Sequence, residues 1–346
     1  MIAAGPRLHP GRAAAAILLA WLAFAAPAAL ADPVADFYAG KRLTLVVATP
    51  PGGPYDICAR LLARHWGRHI PGSPAIVVQN MPGATGMLAA DYLYNRAPQD
   101  GTIVGNLHNM LPLVKVLGRL TSDLDPAKFN WIGNMTRETG DAIVSAKSPV
   151  KSIDDARRTA VVMGAASPMA LAAIYPHVMN YVLGTKFRVV TGYDGFAGVE
   201  HAIEEGEVEG NAGDTWYGVG RTYQLYQEGA IRVIVQIGTP SPDLGHVPLL
   251  VDLAGNDADR ALLELFSSPY QVGKPTAMGP KVPPERVAAL RQAYAATMTD
   301  PEFLADAKML GVAVAPMPGP ELAALVARLT SLSPALVARA REAVAK

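Results

Sequence analysis

One design recurs along this chain and limits what it can fold into: a short apolar run, a loop of glycine, proline and small residues, then apolar residues at helical spacing. Residues 43–48, with Leu43, Leu45, Val46, Val47 and Ala48, stop at Pro50-Pro51-Gly52-Gly53, after which Ile57, Leu61, Leu62, Trp66 and Ile70 recur as one helix face. The design returns at 75–80 with the loop 81–86, and at 101–105 with His108-Asn109 at the strand end and a short helix over 111–117. It appears again at 160–164, 187–190 and 207–212, each run followed by small residues and a helix. Strands alternating with helices predict an α/β fold whose mostly parallel sheets are covered on both faces. Ligands of such sheets sit beyond the carboxyl ends of the strands. The loops at Gly52, Gly83 and His108 therefore share one rim, and those at 165–169, 191–195 and 213–216 share another.

Between the two sets the pattern breaks. Residues 131–148 have strand character at both ends and a polar middle, Ser152 opens a new helix, and 231–237 form a clear strand that leads back. Helices are expected over 287–298, 301–310 and 320–345, separated by Pro- and Gly-containing turns. The expectation is two lobes, 32–138 with 239–346 as the first and 139–238 as the second, joined by a two-strand hinge with both rims facing one cleft.

The first residues belong to no lobe. Arg7 and Arg12 precede an apolar run over 13–26, and Ala29-Leu30-Ala31 supplies a small-x-small cleavage pattern, so residues 1–31 read as a signal peptide cleaved after Ala31. The run is shorter than the ~20 residues that span a bilayer. With no cysteine at the cleavage site and no twin arginine, general secretion into a periplasm is expected. Loss of Arg7 and Arg12 leaves 28 basic against 30 acidic residues, a net charge of −2, and no basic stripe. Nucleic acid and anionic membrane surfaces are accordingly poor candidates as partners, and no nucleic-acid partner is expected. Cys58 is the only cysteine, so no intrachain disulfide forms, and its place on the first helix suits a packed thiol.

Gly52 and Gly53 expose main-chain N–H groups ahead of a helix, where the dipole favours an anion. The loop reads either as a carboxylate cradle or as a plain strand-to-helix turn. Enzyme signatures are missing: Pro54-Tyr55 replaces the Lys-Ser/Thr of a nucleoside-triphosphate loop, Gly218-Val219-Gly220 lacks the third glycine of a dinucleotide fingerprint, and there is no G-x-S-x-G turn. His65 and His69 stand four apart without the H-E-x-x-H pattern, and two ligands do not complete a metal set, so a solvated helix face is the expectation. No catalytic residue, metal or cofactor is expected; the rival reading is a periplasmic α/β enzyme or metal-dependent hydrolase acting on a small acid. Trp216 either stacks on a planar ligand or fills the interdomain core. The Tyr55 and Tyr193 hydroxyls offer bonds to a carboxylate, Arg137 reads as a hinge ion pair before an anion ligand, and Glu204, Glu205, Glu207 and Glu209 read as a solvated face before a docking patch.

Taken in order, L-T-L-V-V-A-T-P-P-G-G-P-Y-D followed by A-R-L-L-A-R, V-V-Q-N-M-P-G-A-T-G-M-L-A-A, A-P-Q-D-G-T-I-V-G, the T-G-Y of Thr191 to Tyr193 and P-D-L-G-H-V-P from Pro242 to Pro248 resemble the solute-binding receptors of tripartite tricarboxylate transporters, the Bug receptors. The resemblance covers nearly all of the chain after residue 31. It implies a two-lobed periplasmic protein of the type II-like binding-protein fold, a monomer that closes on a small organic acid and delivers it to a membrane permease. It also implies that a ligand carboxylate is held largely by main-chain groups and waters. By motif match this puts Pro51, Gly52, Gly53 and Asp56 on one side, beside Asn80, Gly83, Ala84 and Thr85, with Ser167, Tyr193 and Asp214 in the second lobe. Tyr55, His108 and Trp216, at the same rims, complete the expected ligand-binding set. Ala165-Ala166-Ser167-Pro168 offers fewer hydroxyls than the Gly- and Ser/Thr-rich loop of many relatives.

Overall fold

The computed structural model describes Met1 and residues 32–120, 122–217 and 221–345. The rest of the expected signal peptide and Gly218-Val219-Gly220 lie outside the described residues. Strands β1 (Arg42–Val47), β2 (Ala75–Asn80), β3 (Ile103–Asn106) and β4 (Asn130–Asn134) come first in the chain. Then follow β5 (Thr139–Ser145), β6 (Val161–Ala165), β7 (Phe187–Thr191), β8 (Gly210–Thr215) and β9 (Ile231–Gly238), with β10 (Pro275–Met278) and β11 (Met317–Pro318) last. They make two sheets, ordered β11-β4-β10-β3-β1-β2 and β7-β6-β8-β5-β9. The architecture is the expected two-sheet α/β arrangement flanked by helices.

The two sheets share a plan. In each, a first strand lies between the second and the third, all parallel, and next to the third comes an antiparallel strand reached by crossing from the other sheet: β10 in the first, β5 in the second. Those crossing strands run against their neighbours, while four of the six strands of the first sheet and four of the five of the second point the same way, so the sheets are mostly parallel as expected. β10 pairs antiparallel with both β3 and β4, and β5 with both β8 and β9, because each enters its sheet from the opposite end.

Most elements follow from local pattern. Pro54 at the first helical position after the Gly53 N-cap starts the helix Pro54–Trp66, which buries Cys58, Leu61, Leu62 and Trp66. Burial also raises the Cys58 thiol pKa. The expected helix 320–345 is two helices, Gly319–Thr330 and Pro334–Ala343, bent 83° apart, since Pro334 stops the first from continuing. The helix Asp257–Val272 was not expected at all. Its start carries a legible signal, the Asn256 side chain accepting from Asp259 N–H, but Pro269 inside it interrupts the pattern. No single helix among the described residues is long and apolar enough to cross a membrane.

That unexpected helix lies between the sheets. Its buried Phe266 and Tyr270 belong to one apolar core with Leu107 and Trp131 of the first sheet's side and Ala142, Tyr175 and Ile234 of the second's. Where a side chain would be on Gly140 or Gly238, the Tyr270 side chain already stands at 2.1 and 2.4 Å, so both glycines exist to admit it. The Tyr270 hydroxyl donates to the Asp214 carbonyl at 3.1 Å, and the Tyr175 hydroxyl to the Phe266 carbonyl at 2.8 Å.

The chain passes from the first sheet to the second at 135–138. It returns over a long passage that starts at 238–240, stays on the second sheet while Leu244 and Val247 join its core and Leu249 bridges Gln236, and reaches β10 through the helix Asp257–Val272. Asn134, fully buried, organises the first passage: its Oδ1 accepts from Thr136 N–H at 3.1 Å and Lys274 N–H at 2.9 Å, and its amide donates to the Gln271 carbonyl at 3.3 Å. Glu138 pairs with the Lys274 ammonium, its N–H donates to the Tyr270 carbonyl, and its carbonyl accepts from Thr239 N–H. The ion pair expected of Arg137 is thus made by its neighbour, and Arg137 itself is exposed and in no ion pair with a described residue.

His65 and His69 do not form a solvated face. Their Nε2 atoms meet Asp306 at 2.9 Å and Asp300 at 2.7 Å, carboxylates shared with Arg64 and Arg68, so the helix face is fastened to the helix Pro301–Met309 and its cap. Among the described residues no group of three or more acidic, histidine or cysteine side chains is placed to hold a metal ion. The acidic run near 207 is mixed: Glu204 pairs with Arg221, whereas Glu209 accepts from Ser148 Oγ at 3.2 Å and Val162 N–H at 3.0 Å.

Candidate functional site: the loops at the strand ends

The loops after β1, β2 and β3 converge. A Cβ on Gly86 would stand 2.7 Å from the His108 Cβ and 3.2 Å from the Ala48 Cβ, so only glycine lets the three strand ends approach so closely. The loop leading there has four successive residues in the left-handed half of backbone space, Gly83 (φ 144°), Ala84 (46°), Thr85 (52°) and Gly86 (83°). Ala84 and Thr85 occupy that region at a cost of about 1–3 kcal/mol each, a strain that clusters at binding loops. Residues 82–85 are exposed at the rim. Gly86 was missing from the expected set, although the G-A-T-G spacing marks it.

The loop after β1 is braced from behind. Asp56 Oδ2 accepts from Gly52 N–H at 2.9 Å and from Arg60 Nε at 2.8 Å, and its Oδ1 accepts from Asn80 Nδ2 at 2.9 Å. Asn80 Nδ2 also donates to the Thr49 carbonyl at 3.0 Å, and its Oδ1 accepts from Arg60 at 3.1 Å. Burial works against the Asp56 charge, but the bonds from Arg60, Gly52 and Asn80 outweigh it and bring the pKa down to about 2. Asp56 and Asn80 therefore have their oxygen and nitrogen atoms occupied and act as positioning residues, not as the ligand contacts expected of them. The Gly52 N–H is spent in the same brace. Replacing Asp56 by alanine should lower stability by about 1–3 kcal/mol, the cost of breaking a buried charge-assisted network, and weaken any ligand held by the loop about tenfold. Calorimetric titration beside a thermal melt checks this; an unloosened loop would show unchanged affinity.

Tyr55 is also spent internally. Its hydroxyl donates to the Gly273 carbonyl at 3.3 Å and accepts from Asn109 N–H at 3.1 Å, while its ring stacks on His108 at 5.2 Å and 17°. It fixes the 108–109 turn in place of binding a carboxylate. Burial pushes the His108 pKa down to about 4, so the ring is neutral; its Nδ1 accepts from Met110 N–H at 3.3 Å, which leaves the proton on Nε2 as a donor.

At the first rim the helix Pro54–Trp66 begins at Gly53 without a side-chain cap, and at the second the helix Leu171–Leu183 begins at Ala170 in the same way, as does Gly195–Glu205 at Asp194. Pro51 and Gly53 are at the first opening and Ser167 is exposed beside the second. Arg119, which follows the short helix Leu111–Val116, contacts Met169 of the second rim. The remaining second-lobe expectations differ. Asp214 is buried, accepting from Thr215 N–H at 2.7 Å and Thr222 Oγ1 at 3.0 Å; burial raises its pKa to about 6. Trp216 has no exposed surface and packs edge-on against Tyr223 and Tyr226, so of its two readings the core one describes this structure, the core being that of the second sheet. Tyr193 packs on that same core, where burial and then Glu207 raise its hydroxyl pKa.

No protein-family model matches the chain. It is 31% identical over 144 residues to the UPF0065 protein in the gbd 5′ region of Cupriavidus necator, an alignment covering 41% of this chain and 42% of that protein. It is 39% identical over 82 residues to BugT of Bordetella pertussis, covering 23% and 24%. The chain thus spans less than half the length of the curated relatives it matches. Among solved structures it is similar to a TctC solute-binding protein from Polaromonas, with a TM-score of 0.68, 18% identity and coverage of 88% of this chain and 99% of that one. It is also similar to the periplasmic binding protein BugD, with a TM-score of 0.61, 19% identity and 88% and 98% coverage. MatC from Rhodopseudomonas palustris with bound malate gives a TM-score of 0.60, 21% identity and 88% and 99% coverage. Its fold is that of the TctC and BugD proteins, and in two stretches its sequence is similar to the UPF0065 protein and to BugT.

Proposed function

We propose that this chain is a periplasmic solute-binding receptor of a tripartite tricarboxylate-type transporter, which captures a small organic carboxylate between its two rims and acts by binding without covalent chemistry. The observation that carries the reading is the set of helix N-termini without side-chain caps at the strand ends of both sheets, Gly53 on one rim and Ala170 and Asp194 on the other. Free N–H groups and the positive dipole end favour a carboxylate by about 0.3–1 kcal/mol each when exposed, and by up to about 2 when partly buried. The lobes are 32–138 with 239–346, and 139–238; they close about 135–138 and 238–240. The receptor is exported, works as a monomer and hands its ligand to a membrane permease. Pro51, Gly53, Gly83, Ala84, Thr85, His108 and Ser167 form the contact set, with His108 Nε2 as a neutral donor.

A thermal-shift screen tests the reading, using malate, adipate, benzoate, amino acids and glucose. An acid at 100 times its dissociation constant stabilises the fold by about 2.7 kcal/mol, a shift of several degrees. Gly53→Val is the matching variant. A Cβ there meets only the Pro50 carbonyl, at 4.0 Å, and its φ of −82° suits valine, so the fold persists while close backbone approach is blocked and affinity falls at least about tenfold. Silence toward every acid, with a shift from a metal ion or a nucleotide, would overturn the receptor reading.

A further inference from the structure

A groove of about 420 Å³ lies at the other edge of the first sheet, beside the two passages between lobes. Its walls are Arg137 from the first passage, Gly238, Thr239 and Pro240 from the second, and Gln271 at the end of the helix Asp257–Val272. Its floor is one stripe of the helix Gly319–Thr330, where Glu321, Ala324, Leu325 and Arg328 follow at helical spacing. In the sheet order the loops after β1 and β2 belong to the far end, whereas Met317 of β11, the opposite edge strand, lines this groove. It therefore lies on the same side of both sheets as the rims described above, at the carboxyl ends of β4 and β9. It is at the opposite lateral end, with β10 between it and the loop after β3.

Two arginines line the groove, and neither Arg137 nor Arg328 makes an ion pair with a described residue. Every other ion pair near the passage is closed, with Glu138 taken by Lys274 and its main chain bonded to Tyr270 and Thr239. One carboxylate, Glu321, opposes the two arginines, leaving the lining net positive by one charge. We infer that this groove is a second binding site, for a small soluble anion that presents carboxylate or phosphate oxygens to Arg137 and Arg328. Planar guanidinium forks match both oxyanions in paired hydrogen bonds, and the volume is that of a small-ligand pocket. Because both passages supply wall residues, an occupant's contacts change with the angle between the lobes, so occupancy of the groove and of the cleft must influence each other's affinity by the same factor. That coupling rests on the receptor reading; the binding itself does not.

The test is calorimetric titration with sodium phosphate and, separately, sodium malonate, each against sodium chloride at matched ionic strength. Binding by the wild-type chain should weaken at least about tenfold in Arg137→Gln/Arg328→Gln, both exposed positions at which folding is checked by a melt. Glu321→Gln should tighten it several-fold by removing the opposing charge. Gly53→Val, which blocks the cleft loop, should leave phosphate binding unchanged, and malonate is titrated in the Gly53→Val background so that the cleft does not contribute to the heat. No binding of either anion, equal binding by the double variant, or loss in Gly53→Val with retention in the double variant would each overturn the site. Should the cleft prove to bind no acid at all while the groove binds phosphate as described, the receptor reading fails and the groove stands. Phosphate binding without malonate binding identifies the phosphate class, and the reverse the carboxylate class.

Discussion

Tyr270→Ala should destabilise the chain by about 3–5 kcal/mol, the range for deleting a large buried aromatic side chain from a core that cannot collapse around the gap. Collapse is hindered here because the ring fills space left by two glycines on different strands, Gly140 on β5 and Gly238 on β9, whose backbones cannot move inward without breaking their pairing. Tyr270→Phe isolates the hydroxyl, whose bond to the Asp214 carbonyl is worth about 0.5–1.5 kcal/mol. Urea unfolding of the three proteins measures both. A loss below about 1 kcal/mol for the alanine variant would mean that the helix Asp257–Val272 does not join the sheets as a single packed unit. Splitting of the transition into two would locate the loss at the junction between lobes, since independent lobes unfold separately.

Asp141→Asn has the opposite sign, and the chain should become about 1–3 kcal/mol more stable at pH 7. Asp141 is fully buried on β5, neither carboxylate oxygen has a hydrogen-bond partner among the described residues, and Asp214 and Glu200 are its charged neighbours. Burial, then Asp214, then Glu200 raise its pKa well above the usual 3.8, and burial raises Asp214 to about 6. A carboxyl whose pKa is higher folded than unfolded holds its proton more firmly in the native state. Its contribution is therefore complete below about pH 4, is lost as pH rises toward the folded value, and is constant beyond it. Each unit of raised pKa corresponds to about 1.4 kcal/mol, and because Asp141 and Asp214 titrate as a pair, together they remove stability on the order of a few kcal/mol as pH rises from 4. The wild-type chain should accordingly be more stable near pH 5 than at pH 7, and the gain from Asp141→Asn should shrink toward zero at pH 4. Chemical denaturation at three pH values checks the slope; a gain equal at pH 4 and pH 7 would show that charge is not what the substitution relieves.

Local pattern carried the sequence reading a long way. β2 lies where its β-branched run ends, and the helix Ile153–Arg158 starts on its Ser152 cap, because both are set by a few adjacent residues. β8 begins at Gly210, three residues later than the acidic run implied, since Glu209 turns inward to Ser148 and Val162. What was not legible depends on partners far away in the chain. Asn134 meets Lys274 across 140 residues and Tyr270 meets Asp214 across 56, and no spacing rule announces either. The site shows the same division. Motif positions marked the loops correctly as neighbours at strand ends, but not which side chains brace them: Asp56, Asn80 and Tyr55 look like ligand contacts in sequence and are tied into their own lobe.

The position of β10 has a consequence for how the protein is made. The first sheet takes its second, first and third strands and β4 from residues 42–134, yet the strand that joins β3 to β4 is residues 275–278. The second sheet needs only residues 139–238. A chain emerging from its N-terminus therefore presents a first sheet with an open seam until well over a hundred further residues have followed, while the second can close on its own. Pairing across so long a separation is slow, and an unpaired edge invites aggregation. The lobe encoded in the middle is the one able to finish first, and the early-made strands wait for it.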